Sequence, residues 1–299
     1  MIRLCIFLLC ILFNGYADNA ASPIVIVVPS YNNMKWYENN LNSILKQEYS
    51  NYRILYINDS SSDETGLYVE ELIKKFTDDY QVLSFDSSPL DDISVTTQKF
   101  CKLVNQKRCF FTLVNNKQRA RVLANTYRSV YSCDDQEIIA IVDGDDWLKH
   151  NLALQEINAF YSLGNIWLTH GKFIEYPSMQ SNWSLSIPNE VIKNNTFRQF
   201  RLPSHLRTFY SWLFKKINLD DLLYLGNFYP MTGDMAMMFP MIEMAGERHA
   251  YNSKINYVYN LATTLSDNKI DPKLQNDLDA HIRKRPPYER LEKAPEHLH

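Results

Sequence analysis

The chain has 299 residues, enough for two ordinary domains or one large one. Its formal charge of −3 leaves no basic excess to hold a phosphate backbone, so nucleic acid is not an expected partner. With only 8 glycines and no G-x-G-x-x-G or G-x-x-x-x-G-K-[ST] stretch, the glycine-cradled nucleotide sites are excluded.

Residues 1–17 carry Arg3, the apolar run Leu4–Phe13 and the small-residue stretch Gly15-Tyr16-Ala17. That is the shape of a signal peptide, or of a short anchor if it stays uncleaved. The run is too short to span a bilayer comfortably, and no later segment is apolar for long enough. A secreted or lumenal protein, without a transmembrane span in the mature chain, is expected. Cys5 and Cys10 fall in this leader. Of the remaining Cys101, Cys109 and Cys133, at least one must lack a partner within the chain, and Cys101 and Cys109 could close a small loop. Asn182-Trp183-Ser184 and Asn194-Asn195-Thr196 are glycosylation sequons.

The main body, residues 22–270, opens on the β-branched run Ile24–Val28, whose unbroken apolarity predicts a strand covered on both faces. A helix is expected over Trp36–Gln47 and a second strand over Arg53–Ile57. Ser61 and Glu64 have capping-box spacing and predict a helix running to Phe76. Residues 84–117 are harder to read, with a strand expected at Phe110–Val114. A helix over Ala120–Tyr131 and a strand over Ile138–Val142 follow, then a helix over Leu148–Leu163. The alternation predicts a doubly wound α/β fold, with residues 22–148 as its parallel half and 149–270 as a smaller second half. Beyond Asp271 the polar, proline-bearing sequence reads as a loose tail over 271–299.

The sharpest feature is Asp143-Gly144-Asp145-Asp146 at the carboxyl end of the strand Ile138–Val142. Ligands bind at such strand ends in open α/β sheets. Crowded carboxylates are unfavourable there unless a cation arrives, and a divalent ion on Asp143 and Asp145 is the simplest candidate. Two earlier strands end at Pro29-Ser30-Tyr31-Asn32 and Asn58-Asp59-Ser60 on the same edge. Tyr31 could stack on a base, and Asp59 could accept from a base or ribose.

Together IVIVVPSYN, ILYINDSSSDET, NNKQRARVLAN and IIAIVDGDDWL are similar to the family-2 glycosyltransferases of the GT-A fold. The order and spacing match over 24–148, and more weakly to about 260. The resemblance implies that Pro29, Tyr31 and Asp59 hold the base and ribose of a nucleotide-diphosphosugar. Asp143 and Asp145 fall on the D-x-D that meets ribose and metal, with Mn²⁺ or Mg²⁺ as cofactor. Asn58, Ser60 and Lys117 depart from the usual aspartate, glycine and glycine, which bears on the nucleotide more than the fold.

Inverting transfer needs a base for the acceptor hydroxyl. Asp234, at the start of the apolar run Met235–Met244, resembles the family's base; the bland alternative is a helix cap. Arg207, Arg119, Arg121 and Lys269 are candidate diphosphate contacts, and His205 and His170 possible ligands. Trp147, Trp183 and Trp212 could stack on an acceptor sugar. No Q-x-x-R-W is present, which favours a non-processive enzyme moving a single sugar from a nucleotide-diphosphosugar, with a UDP-linked donor expected, to a glycan, lipid or protein acceptor. A non-catalytic carbohydrate binder on a decayed transferase fold is the alternative reading. A nucleotidyltransferase is disfavoured because Ser30-Tyr31-Asn32-Asn33 is neither glycine-rich nor basic.

Overall fold

The computed structural model describes residues 21–75, 79–85, 95–104, 107–181 and 184–296, with the backbone path alone over 79–85, 95–104 and 107–110. The leader-like residues 1–17, both of its cysteines, Asn182 and Trp183 lie outside this range, as do the side chains of Cys101 and Cys109.

The first half runs β1 (Ile24–Ser30), α1 (Tyr37–Leu45), β2 (Tyr52–Asn58), α2 (Thr65–Lys74), β3 (Asp79–Phe85), β4 (Val95–Val104), β5 (Lys107–Asn116), α3 (Arg121–Tyr131), β6 (Ile138–Ile141) and β7 (Trp147–Leu148). It continues with α4 (Ala153–Tyr161), β8 (Leu168–Tyr176), β9 (Gln180–Ser181), α5 (Asn189–Asn194), β10 (Arg207–Tyr210) and α6 (Ser211–Phe214). The chain then forms β11 (Leu223–Tyr224), β12 (Asn227–Phe228), α7 (Gly233–Ala245), β13 (His249–Asn260), α8 (Asp267–Ile270) and α9 (Pro272–Lys284).

One mixed sheet has the order β3-β4-β5-β2-β1-β6-β10-β8-β13-β7, with β9 paired to β8. Strands β5, β2, β1 and β6 are parallel, while β10 enters antiparallel between β6 and β8. The unbroken apolarity of β1 has its reason in the layers. Ile24, Ile26 and Val28 pack with Leu41, Ile44, Val69, Ile73 and Leu154 of α1, α2 and α4. Val25 and Val27 face the other way, into a core with Leu123 and Tyr127 of α3 and the methionines of α7. Each face of one strand thus serves a separate core.

Four local expectations differ from the structure. Residues 79–85 and 95–104 form two antiparallel strands that extend the sheet beyond β5, in a stretch whose sequence shows no clear element. The capping box does not form: Ser61 Oγ accepts the Asn32 N–H, and Asp63 instead accepts from Thr65 at the helix start. The turn after Asp146 makes a short strand, β7, so α4 begins only at Ala153. The stretch from Asp271 is no loose tail, because Leu278 and Ile282 of α9 are buried in the core.

Candidate active site

The carboxyl ends of β1, β2 and β6 meet through their backbones. The Asp59 N–H donates to the Ser30 carbonyl, 2.8 Å away, and the Gly144 N–H to the Pro29 carbonyl, 3.0 Å away. Pro29, Tyr31, Asp59 and Asp143 therefore sit on one edge of the sheet, as their strand-end positions imply. The Arg119 guanidinium lies 3.7 Å from the centre of the Tyr31 ring. Asp59 is buried, and its carboxylate accepts from Asn116 Nδ2 and from the N–H groups of Ala120 and Arg121. It thereby anchors the start of α3 and the loop that carries Arg119. Three of its four acceptor positions are engaged in this way.

The acidic turn is held from two sides. Asn40 of α1 donates from one amide to the carbonyls of Asp143 and Asp146. On the other side, the fully buried Tyr257 donates its hydroxyl to Asp146 Oδ2 at 2.8 Å and accepts the Asp143 N–H. The Asn260 N–H fills Asp146 Oδ1 at 2.7 Å. Burial, with the charges of Asp145 and Asp143, pushes the Asp146 carboxyl well above the ordinary range.

Strand register brings in the second half. Arg207 pairs with Ile141 in the antiparallel β6–β10 ladder, so two steps further on His205 faces Asp143. His205 Nε2 is 3.6 Å from Asp143 Oδ2, and its ring stacks on Tyr257 with centroids 4.6 Å apart. Burial, then the Arg207 charge, lowers the His205 pKa and favours a neutral imidazole. Asp143 stays in the ionised range: burial opposes this, but His205 and Arg207 beside it prevail. Asp145 is pushed up to about 6 by burial and by the Asp143 charge.

The Asp234 carboxylate lies at the N-terminus of α7, where Oδ2 accepts from Arg207 Nη2 at 2.8 Å and Oδ1 from the Met235 N–H. Thr232, not Asp234, holds the cap position, which removes the simple capping alternative. Arg207 is buried while the Asp234 side chain is 34% exposed, so the pair presents its acidic end outward. Asp267 closes the rim by accepting the Thr232 N–H. Burial chiefly, together with the charges of Asp234 and Asp143, pushes its carboxyl up to about 6.

Ligand atoms of Asp143, Asp146 and His205 lie within 4.8 Å of one another. Asp143 and the neutral imidazole of His205 are donors that suit a divalent ion, whereas both Asp146 oxygens are engaged by Tyr257 and Asn260. This grouping contains Asp143 but not Asp145, the expected second ligand. Among the other expected contacts, Arg121 donates to the Pro230 carbonyl, and Lys269 to the carbonyls of Leu261 and Thr263. His170 lies away from the cluster, stacked against His249. Tyr257, Asn260 and Asp267 carry no sequence signal, because only the register of β13 and the fold of the following loop bring them to the turn.

A parallel α/β half, an acidic turn at its strand end and a paired carboxylate on the adjoining half form the arrangement of the GT-A fold. The profile described as Glycosyl transferase family 2 matches residues 25–88. The chain is similar to the Escherichia coli UDP-Glc:alpha-D-GlcNAc-diphosphoundecaprenol beta-1,3-glucosyltransferase WfgD, with 26% identity over 207 residues, 64% of this chain and 68% of that protein. S. aureus TarS 1–349 in complex with UDP shares the fold at TM-score 0.54 and 15% identity, over 80% of this chain and 60% of that one. The same TarS segment with UDP-GlcNAc gives TM-score 0.51 and 15% identity, over 80% and 58% of the two chains. The present chain thus spans about three fifths of these solved relatives.

Proposed function

We propose that the enzyme moves one sugar, with inversion, from a UDP-linked donor to a hydroxyl of a glycan, lipid or protein acceptor, using a divalent cation. The observation that carries this reading is the Arg207–Asp234 pair beside the Asp143–His205 contact. It supplies a carboxylate base on one side and an ion site on the other. The UDP-Glc named for WfgD supports the choice of nucleotide. Asp234 takes the acceptor proton, while Arg207 and the Met235 N–H fix a carboxylate that stays partly exposed. Tyr31 and the Arg119 guanidinium stacked on it offer a platform for the base, and Asp59 holds the loop that positions Arg119. Asp143 and His205 would hold the ion, with Asp145 as the carboxylate turned to the donor and Asp146 bracing the turn. The bound ion would offset charge on the leaving diphosphate.

Titration of UDP with and without Mn²⁺ tests the donor site. Tighter binding with Mn²⁺, lost in Asp143→Asn, is expected; equal affinity in both conditions removes the metal. Asp234→Asn should abolish transfer and leave UDP affinity intact, and retained transfer removes Asp234 as base. Residues 1–17 support entry into an export route, secreted or lumenal, or attachment through an uncleaved leader. N-terminal sequencing of the mature protein separates these outcomes.

A further inference from the structure

The structure sorts the tryptophans that the sequence offers for sugar stacking. Trp212 is buried in the core, whereas Trp147 is half-buried and lines an open surface depression with Asn39, Asn42, Ser43 and Lys46. These four partners fall at spacings of three, four and seven residues along α1 and its C-terminal cap, so they form one stripe. Trp147 is held in place: its ring stacks on Trp36, with centroids 6.4 Å apart, and meets Tyr176 edge-on at 5.2 Å.

An indole, two carboxamides, a hydroxyl and one ammonium make an unusual lining. The indole offers a flat apolar surface, while the carboxamides each offer donors and an acceptor at its margin. A pyranose ring has the matching chemistry, with C–H faces that cover an aromatic and a rim of hydroxyls that donate and accept. No carboxylate lines the depression to hold a cation, and a single lysine is a poor match for a diphosphate. The stripe is also coupled to the active site. Asn40 on the same helix fixes Asp143 and Asp146, and Ser43 Oγ accepts the Leu148 N–H just past Trp147.

We propose that this depression is a saccharide subsite that takes a pyranose unit of a glycan acceptor, separate from the donor site. The word acceptor rests on the transferase reading; the binding of sugar does not. The test follows the indole N–H resonance of Trp147, identified by its loss in Trp147→Phe. The protein is titrated with glucose, N-acetylglucosamine, galactose, mannose and their β-linked disaccharides, first alone and then with UDP and Mn²⁺ present.

At least one saccharide should shift that resonance saturably, with a dissociation constant of about 1 mM. Asn42→Ala should weaken that binding about tenfold, as expected for loss of a well-placed polar contact, with UDP affinity unchanged. Absence of any shift in both titrations, or a shift that survives the combined Asn39→Ala and Asn42→Ala change, overturns the subsite. UDP binding without sugar binding removes the subsite and leaves the transferase reading standing. Sugar binding without UDP binding does the reverse.

Discussion

Arg207 and Asp234 come from different elements, and the hydrogen bond between them is what fixes the direction of the carboxylate. On the proposed reading Arg207 acts as a positioning residue, in place of the diphosphate contact expected from sequence. Arg207→Gln should lower kcat about 100-fold, the scale of a small misplacement of a catalytic group, with little change in UDP affinity. Arg207→Lys should recover part of the loss, and steady-state kinetics beside UDP titration checks both. Gly144 works by absence of volume. A Cβ there would sit 2.5 Å from the Cβ and Oγ of Ser30, which is buried and held by Asn33 and Tyr56. Gly144→Ala should cost about 1–3 kcal/mol through overpacking, seen as a lower urea midpoint. The placement of Asp143 and Asp145 was legible because motif and strand end coincide, and that of Asp234 because it opens an apolar helical run. The facing of His205 and Asp143 was not, since it depends on antiparallel register between residues sixty-two positions apart.

At the scale of elements, the parallel strands and α3 were legible from apolar runs and helical spacing. The C-terminal segment was not, because its composition is polar. Within that polarity Leu274, Leu278 and Ile282 recur every four residues, and α9 lays this stripe on the core beside α7. The surrounding polar groups are used as well. Arg198 pairs with the buried Glu243 and donates to the Ile282 carbonyl, while Arg283 donates to the carbonyls of Arg198 and Phe200. Composition counts these residues as solvent-seeking, yet the fold buries their contacts. Leu278→Ala should destabilise the protein by about 2–5 kcal/mol, the range for a fully buried leucine, whereas a loose tail would give no change in urea unfolding.

For the whole molecule, two cores on opposite faces of one sheet make stability depend on groups far from the active site. His170 on β8 is 1% exposed, and neither ring nitrogen has a hydrogen-bond partner among the described residues. It packs against His249 and Tyr251 of β13, with centroids 5.7 and 5.3 Å away. Burial first, and the His249 charge second, lower its pKa from 6.5 to about 3. Its unfolded form accepts a proton near pH 6.5, while the folded form stays neutral until about pH 3. The contribution to stability is therefore complete above pH 6.5 and is lost as pH falls toward 3, at about 1.4 kcal/mol per pH unit. Asp145 and Asp146 act in the opposite sense, since raised carboxyl pKa values favour the folded state as pH falls. The acid limb of the wild type is a sum of opposing slopes, so only a difference isolates His170. His170→Phe keeps a flat ring in the stack and removes the titrating nitrogens. Its urea stability relative to wild type should rise by roughly 2–3 kcal/mol between pH 7 and pH 4.5. A constant difference across that interval would show that His170 protonates in the folded state as readily as in the unfolded one.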